Sequence, residues 1–122
     1  MADISYTLSM KVDKEFLSNS VSVGNVTATM SEAGMSSMTM ALSTNVTQIS
    51  TANLSRVGMA FFRNLSTATA ATVTIGISEG GSFVGFCTLR AGEPAVLRLS
   101  AGTDYRARGT AGTRLRVDIT EG

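Results

Sequence analysis

Apolar and polar residues alternate one for one through most of this chain. That period of two suits an extended strand, whose successive side chains point to opposite faces. Ile4, Tyr6, Leu8, Met10 and Val12 take every second position, with Ser5, Thr7, Ser9 and Lys11 between them. This predicts a half-buried strand. Ser20 to Met30 repeats the pattern on Val21, Val23, Val26, Ala28 and Met30. Its phase slips at Gly24-Asn25, which predicts a β-bulge. Between these strands, Asp13 to Ser18 is the best candidate for a helix of a turn or two, or else a loop.

The pattern continues after the Gly34 turn. Met38, Met40 and Leu42 mark a third strand, and Val46 and Ile49 a short fourth. Arg56 to Arg63 carries Val57, Met59 and Phe61 on one face and Gly58, Ala60 and Phe62 on the other. Both faces are apolar or small, so this strand is expected to be central. Thr72 to Ile77 and Ser82 to Leu89 flank Glu79-Gly80-Gly81-Ser82, a hairpin turn. Arg90 to Pro94 is a further turn, and its proline costs no ladder hydrogen bond there. Ala95 to Leu99, Tyr105 to Arg108 and Arg114 to Thr120 complete the set. Short strands with turn signals at roughly 8–12-residue spacing predict an all-β chain, a sandwich or barrel. A length of 122 residues suits one domain over residues 1–122.

Composition sharpens this picture. Hydrophobic residues make up 43% of the chain and charged ones only 16%, against about 25% in ordinary domains. Part of the surface is therefore expected to be apolar and meant to be covered. Net charge is +1, so no overall field draws the chain to nucleic acid or an anionic membrane. Arg90, Arg98, Arg106, Arg108, Arg114 and Arg116 crowd the last third, opposed by Glu93, Asp104, Asp118 and Glu121. They read as solvated strand faces or as a basic rim for an acidic partner. Cys87, the only cysteine, reads as a buried thiol acting as a small hydrophobe. Met-Ala-Asp-Ile-Ser has no basic or apolar region of a secretion signal, and no apolar run reaches the ~20 residues of a membrane span. The expected location is a cytoplasm, or a particle assembled in one.

Candidate chemistry is sparse. Histidine is absent, which removes the commonest general base and metal ligand. Gly76-Ile77-Ser78-Glu79-Gly80 matches the G-x-S-x-G pattern of a hydrolase nucleophile, but that motif needs a strand-to-helix elbow and a histidine. Asp3, Asp13, Glu15, Glu32, Glu79, Glu93, Asp104, Asp118 and Glu121 are scattered, unlike the oxygen cage of a calcium site. No catalytic, cofactor-binding or metal-ligating residue is predicted, and the chain is not expected to be an enzyme. Four Asn-x-Ser/Thr triplets, at Asn25, Asn45, Asn53 and Asn64, carry little weight in a Ser/Thr-rich chain. Asn64 reads as a turn former. Tyr105 beside Arg106 and Arg108 is the one cluster resembling a stacking platform, and reads as structural. Met30, Met35, Met38 and Met40 read as core filler or as an adaptable contact surface.

From Leu54 to Gly122 the chain resembles small virion structural proteins of tailed bacteriophages. The carrying residues run Gly58-Met-Ala-Phe-Phe-Arg63-Asn64-Leu65, Val73-Thr-Ile75-Gly76, Leu89-Arg-Ala-Gly92-Glu93-Pro94 and Leu97-Arg-Leu99. Tyr105-Arg-Ala107 and a closing Asp118-Ile119-Thr120-Glu121 follow. The resemblance implies a single antiparallel β-sandwich, jelly-roll-like, of about 8–10 short strands, displayed in many copies on a head, collar or tail. It implies no catalytic residue.

The expected role is therefore assembly: a capsid decoration (cement) protein that binds the assembled shell and stabilises it. The alternative is a tail, neck or fibre-attachment subunit, and the second alternative a glycan-binding module. Expected partners are the major capsid protein or other virion proteins and further copies of the chain, as a dimer or trimer. Neither nucleic acid nor membrane is an expected partner. Residues 1–14 are expected to form an N-terminal strand, free either to pair within its own sheet or to cross to a neighbouring subunit.

Overall fold

A computed structural model describes residues 3–122. Met1 and Ala2, which head the expected N-terminal strand segment, lie outside the described residues. Where the sequence predicts a single domain over 1–122, the chain divides into two compact units, one ending at Ser31 and one spanning Glu32–Gly122.

The first unit is a long antiparallel hairpin of β1 (Ile4–Lys14) and β2 (Leu17–Ala28), which together form a two-stranded sheet. The N-terminal strand pairs along its length with β2. Asp13–Ser18 is neither helix nor open loop. β1 runs to Lys14 and β2 starts at Leu17, so only Glu15 and Phe16 turn. Glu15 adopts φ 53°, a left-handed value for which two-residue hairpin turns favour glycine or asparagine. With Glu-Phe there, the usual turn signal is missing from the sequence. The expected bulge forms as predicted. Tyr6 lies opposite Val26 and Leu8 opposite Val23, so Thr7 faces both Gly24 and Asn25. Asn25 takes φ 51°, and its N–H donates to Thr7 Oγ1 at 3.2 Å. The extra residue returns Val26 to the face of Val23.

The second unit contains β3 (Met35–Leu42), β4 (Thr47–Gln48), β5 (Val57–Asn64), β6 (Thr72–Glu79), β7 (Ser82–Arg90), β8 (Pro94–Arg98), β9 (Tyr105–Gly109) and β10 (Thr113–Glu121). They form two four-stranded antiparallel sheets, β3-β10-β5-β8 and β4-β9-β6-β7. Every connection except the β6–β7 hairpin passes from one sheet to the other. That wrapping is a jelly roll. β5 is central, between β10 and β8, as its two apolar faces predict. In the β6–β7 turn, Gly80 (φ 58°) and Gly81 (φ 83°) both take the left-handed values of a type I′ hairpin. Pro94 opens edge strand β8, a place where a missing N–H does least harm.

The inward faces supply the core. Phe62, Val73, Ile75, Ala107, Leu115, Val117 and Ile119 are completely buried, and Met38 and Met40 pack against them. Three polar side chains pin the connections. Asn64, fully buried at the end of β5, donates from Nδ2 to the carbonyls of Ala71 (3.3 Å) and Leu89 (3.1 Å). Its Oδ1 accepts from Ser66 N–H at 3.0 Å. Tyr105 is buried, and its hydroxyl accepts from Ser100 N–H at 2.7 Å and donates to the Ser100 carbonyl at 3.3 Å. This tyrosine corner ties β9 to the loop that feeds it. Glu121 accepts from the N–H groups of Ser55 (2.8 Å) and Arg56 (3.2 Å), fastening the start of β5 to the end of β10.

Candidate interaction surfaces

The hairpin register sorts its side chains completely. On one face Ile4, Tyr6, Leu8, Met10 and Val12 lie opposite Ala28, Val26, Val23, Val21 and Asn19, and Lys14 lies opposite Leu17. On the other face Ser5, Ser9, Lys11 and Asp13 lie opposite Thr27, Ser22, Ser20 and Ser18. The first face is a strip of apolar side chains, and much of it meets solvent. Leu8 is 45% exposed, Met10 and Leu17 59%, Val21 49% and Val23 48%. Phe16 at the tip is fully exposed. Sequence reading missed Phe16 and Leu17 because it took their segment as helix or loop.

On the jelly roll one apolar edge is β7. From Ser82 to Leu89 it carries neither charge nor proline, and Val84 and Phe86 are about half exposed. Phe86 has no partner on β6, because the register steps from Ile75–Cys87 to Gly76–Gly85. This bulge blunts the edge, as bulges on natural edge strands do. Cys87 beside it is half-buried rather than buried, at the core margin. Desolvation raises its pKa above the usual thiol value, and the Glu93 carboxylate raises it further.

The arginines form no single rim. Register places Arg98, Arg114 and Arg116 on the outer face of β3-β10-β5-β8, and Arg90, Arg106 and Arg108 on that of β4-β9-β6-β7. Several are engaged locally. Arg116 Nε donates to Asp118 Oδ2 at 2.8 Å, and Arg106 Nη2 to Asp104 Oδ2 at 2.8 Å. The Arg108 guanidinium lies 5.0 Å from the Phe83 ring centre, within cation–π range. Beside Arg108 is a shallow groove of about 280 Å³, lined by Thr44, Thr72, Thr74, Gly109 and Thr110.

The remaining sequence candidates separate. Met38 and Met40 serve the core, while Met35 is 59% exposed. Gly76–Gly80 runs from β6 into the β6–β7 hairpin, where Ser78 N–H donates to the Asp104 carbonyl at 2.9 Å. No strand-to-helix elbow exists there. Asn64 is enclosed, whereas Asn25, Asn45 and Asn53 are exposed. Among the described residues no three His, Cys, Asp or Glu side chains gather as metal ligands, and no helix is long and apolar enough to cross a membrane. No protein-family model matches the chain, and a search of curated proteins finds no match either.

Proposed function

We propose that the chain is a structural subunit of a tailed-phage virion, a capsid decoration protein that binds the assembled shell and stabilises it. The observation that carries this reading is the hairpin face from Ile4 to Ala28, apolar along one side and half exposed. A two-stranded sheet is marginal in water by itself, and an apolar sheet face calls for a cover. Such a face suits a protein whose final state is an assembly. The jelly roll supports the reading more weakly, since virus shells and lectins both use it.

The stabilising mechanism is linkage. A subunit that binds only the closed shell favours that state by RT ln(1 + [L]/Kd), about 2.7 kcal/mol per site at a hundredfold excess over Kd. Repetition over many equivalent sites turns that into resistance to internal pressure. The test is to quantify the chain in purified particles and to mix purified protein with undecorated shells. The reading expects saturable binding and a higher shell melting temperature. Absence from particles, or no binding and no shift, would refute it. Particle images placing the chain at the neck or tail would replace decoration with the attachment role.

A further inference from the structure

The hairpin face has an asymmetry that points to its occupant. β1 contributes Ile4, Tyr6, Leu8, Met10 and Val12, mostly long or bulky side chains. β2 answers the first four with Ala28, Val26, Val23 and Val21, which are shorter, while Asn19 lies opposite Val12. The face is therefore a ridge beside a shallow lane. Packed layers interdigitate best where large side chains meet small ones. A second hairpin turned over about a two-fold axis along its length lays its ridge on the first lane, and its lane on the first ridge. Leu8 then sits over Val23 of the other copy and Met10 over Val21, with both tips at one end. The opposite two-fold, across the strands, would set ridge against ridge.

We propose that the apolar hairpin face is a homodimer interface, two copies stacked ridge over lane. The area agrees with this occupant. Eleven residues at ~3.3 Å each and two strands ~4.8 Å apart give a footprint of roughly 350 Å². Two such faces give about 700 Å² of flat footprint, and side-chain relief raises this toward the ~1,000 Å² of a small, transient interface. Charge agrees as well. Between Ile4 and Val12 the stacked face bears no charged residue, and its one charge, Lys14 near the tip, lies over Leu17 of the other copy rather than over the other Lys14. The Ser/Thr face stays in water. This inference uses the same face that carries the virion reading and assigns it to a second copy, so the dimer and shell-capture measurements below tell the two apart.

Sedimentation velocity across a range up to about 100 µM, a span suited to a micromolar Kd, tests it. The wild-type chain is expected to pass from monomer to dimer. Leu8→Glu and Val23→Lys, each at a half-exposed position, should each weaken the dimer at least about ten-fold, whereas Ser9→Glu on the opposite face should not. Mixing the Leu8→Glu chain with the Val23→Lys chain should restore a dimer that neither forms alone, since one interface then places the new carboxylate over the new ammonium. Circular dichroism melting of each variant checks that the jelly roll persists. A wild-type monomer at the highest concentration, a trimer, equal dissociation by Ser9→Glu, or no rescue on mixing would each overturn the proposal. A monomer that still captures undecorated shells through this face would assign the face to the shell instead.

Discussion

Val21 and Val23 in β2 and Val73 and Ile75 in β6 belong to the same kind of alternating strand, yet their surroundings differ. The β6 pair is completely buried, while the β2 pair is about half exposed. In the jelly roll the inward face of each sheet is covered by the other sheet of the same chain. The hairpin presents an equally apolar face without equivalent cover. Alternation fixes which side chains share a face and says nothing of what lies against it. The comparison therefore separates a unit that buries its own apolar faces from a hairpin whose apolar face is half exposed.

The largest expected effect comes from the buried side of the comparison. Phe62→Ala removes a fully buried ring and should cost about 3–5 kcal/mol in chemical denaturation. Leu8→Ala, measured on dilute protein, should cost less than about 1 kcal/mol. Similar losses for the two would erase the distinction. Next is Asn64→Ala, which removes the buried bonds to the carbonyls of Ala71 and Leu89 and the part-buried bond from the N–H of Ser66. An expected loss of about 2–3 kcal/mol reflects buried groups left unpaired. Tyr105→Phe keeps the ring and removes both bonds to Ser100, so a loss of about 1–2 kcal/mol is expected in the same measurement.

Smaller effects sharpen the picture at the edges. Glu15→Gly relieves a left-handed residue at the hairpin turn and should stabilise the hairpin by about 1 kcal/mol, read as slower amide exchange in β1 and β2. At Cys87 burial, then Glu93, raises the folded pKa. At pH 8 iodoacetamide should therefore modify the folded thiol more slowly than the unfolded one. The sign for stability follows. The contribution is fully present below the unfolded thiol's pKa of about 8.5 and is lost as pH rises through the higher folded value. Cys87→Ser should flatten that alkaline decline.

Strand pattern was legible wherever the chain itself supplies the punctuation. Gly80-Gly81 announces its hairpin, Gly24-Asn25 its bulge, and the doubly apolar Val57–Phe62 stretch its central place in a sheet. The hairpin tip was not legible, because Glu15-Phe16 carries no turn signature and the left-handed φ falls on a glutamate. Neither was the separation into two units, since hydrogen bonding between strands far apart in sequence decides which sheet each joins. The roles of Asn64 and Glu121 needed coordinates too, as all their side-chain hydrogen-bond partners but the nearby Ser66 lie 7 to 66 residues away. The residues on which the sequence-based expectation of a phage structural protein rests include Phe62, Asn64, Val73, Ile75, Leu89, Leu99 and Tyr105, all buried. They report scaffold more than contact surface.

Hydrogen exchange at low and high protein concentration tests the central claim most directly. The amides of β5, β6 and β10 should be equally protected at both concentrations, and those of β1 and β2 should gain protection as concentration rises. Hairpin protection that matches the jelly roll and ignores concentration would contradict the account.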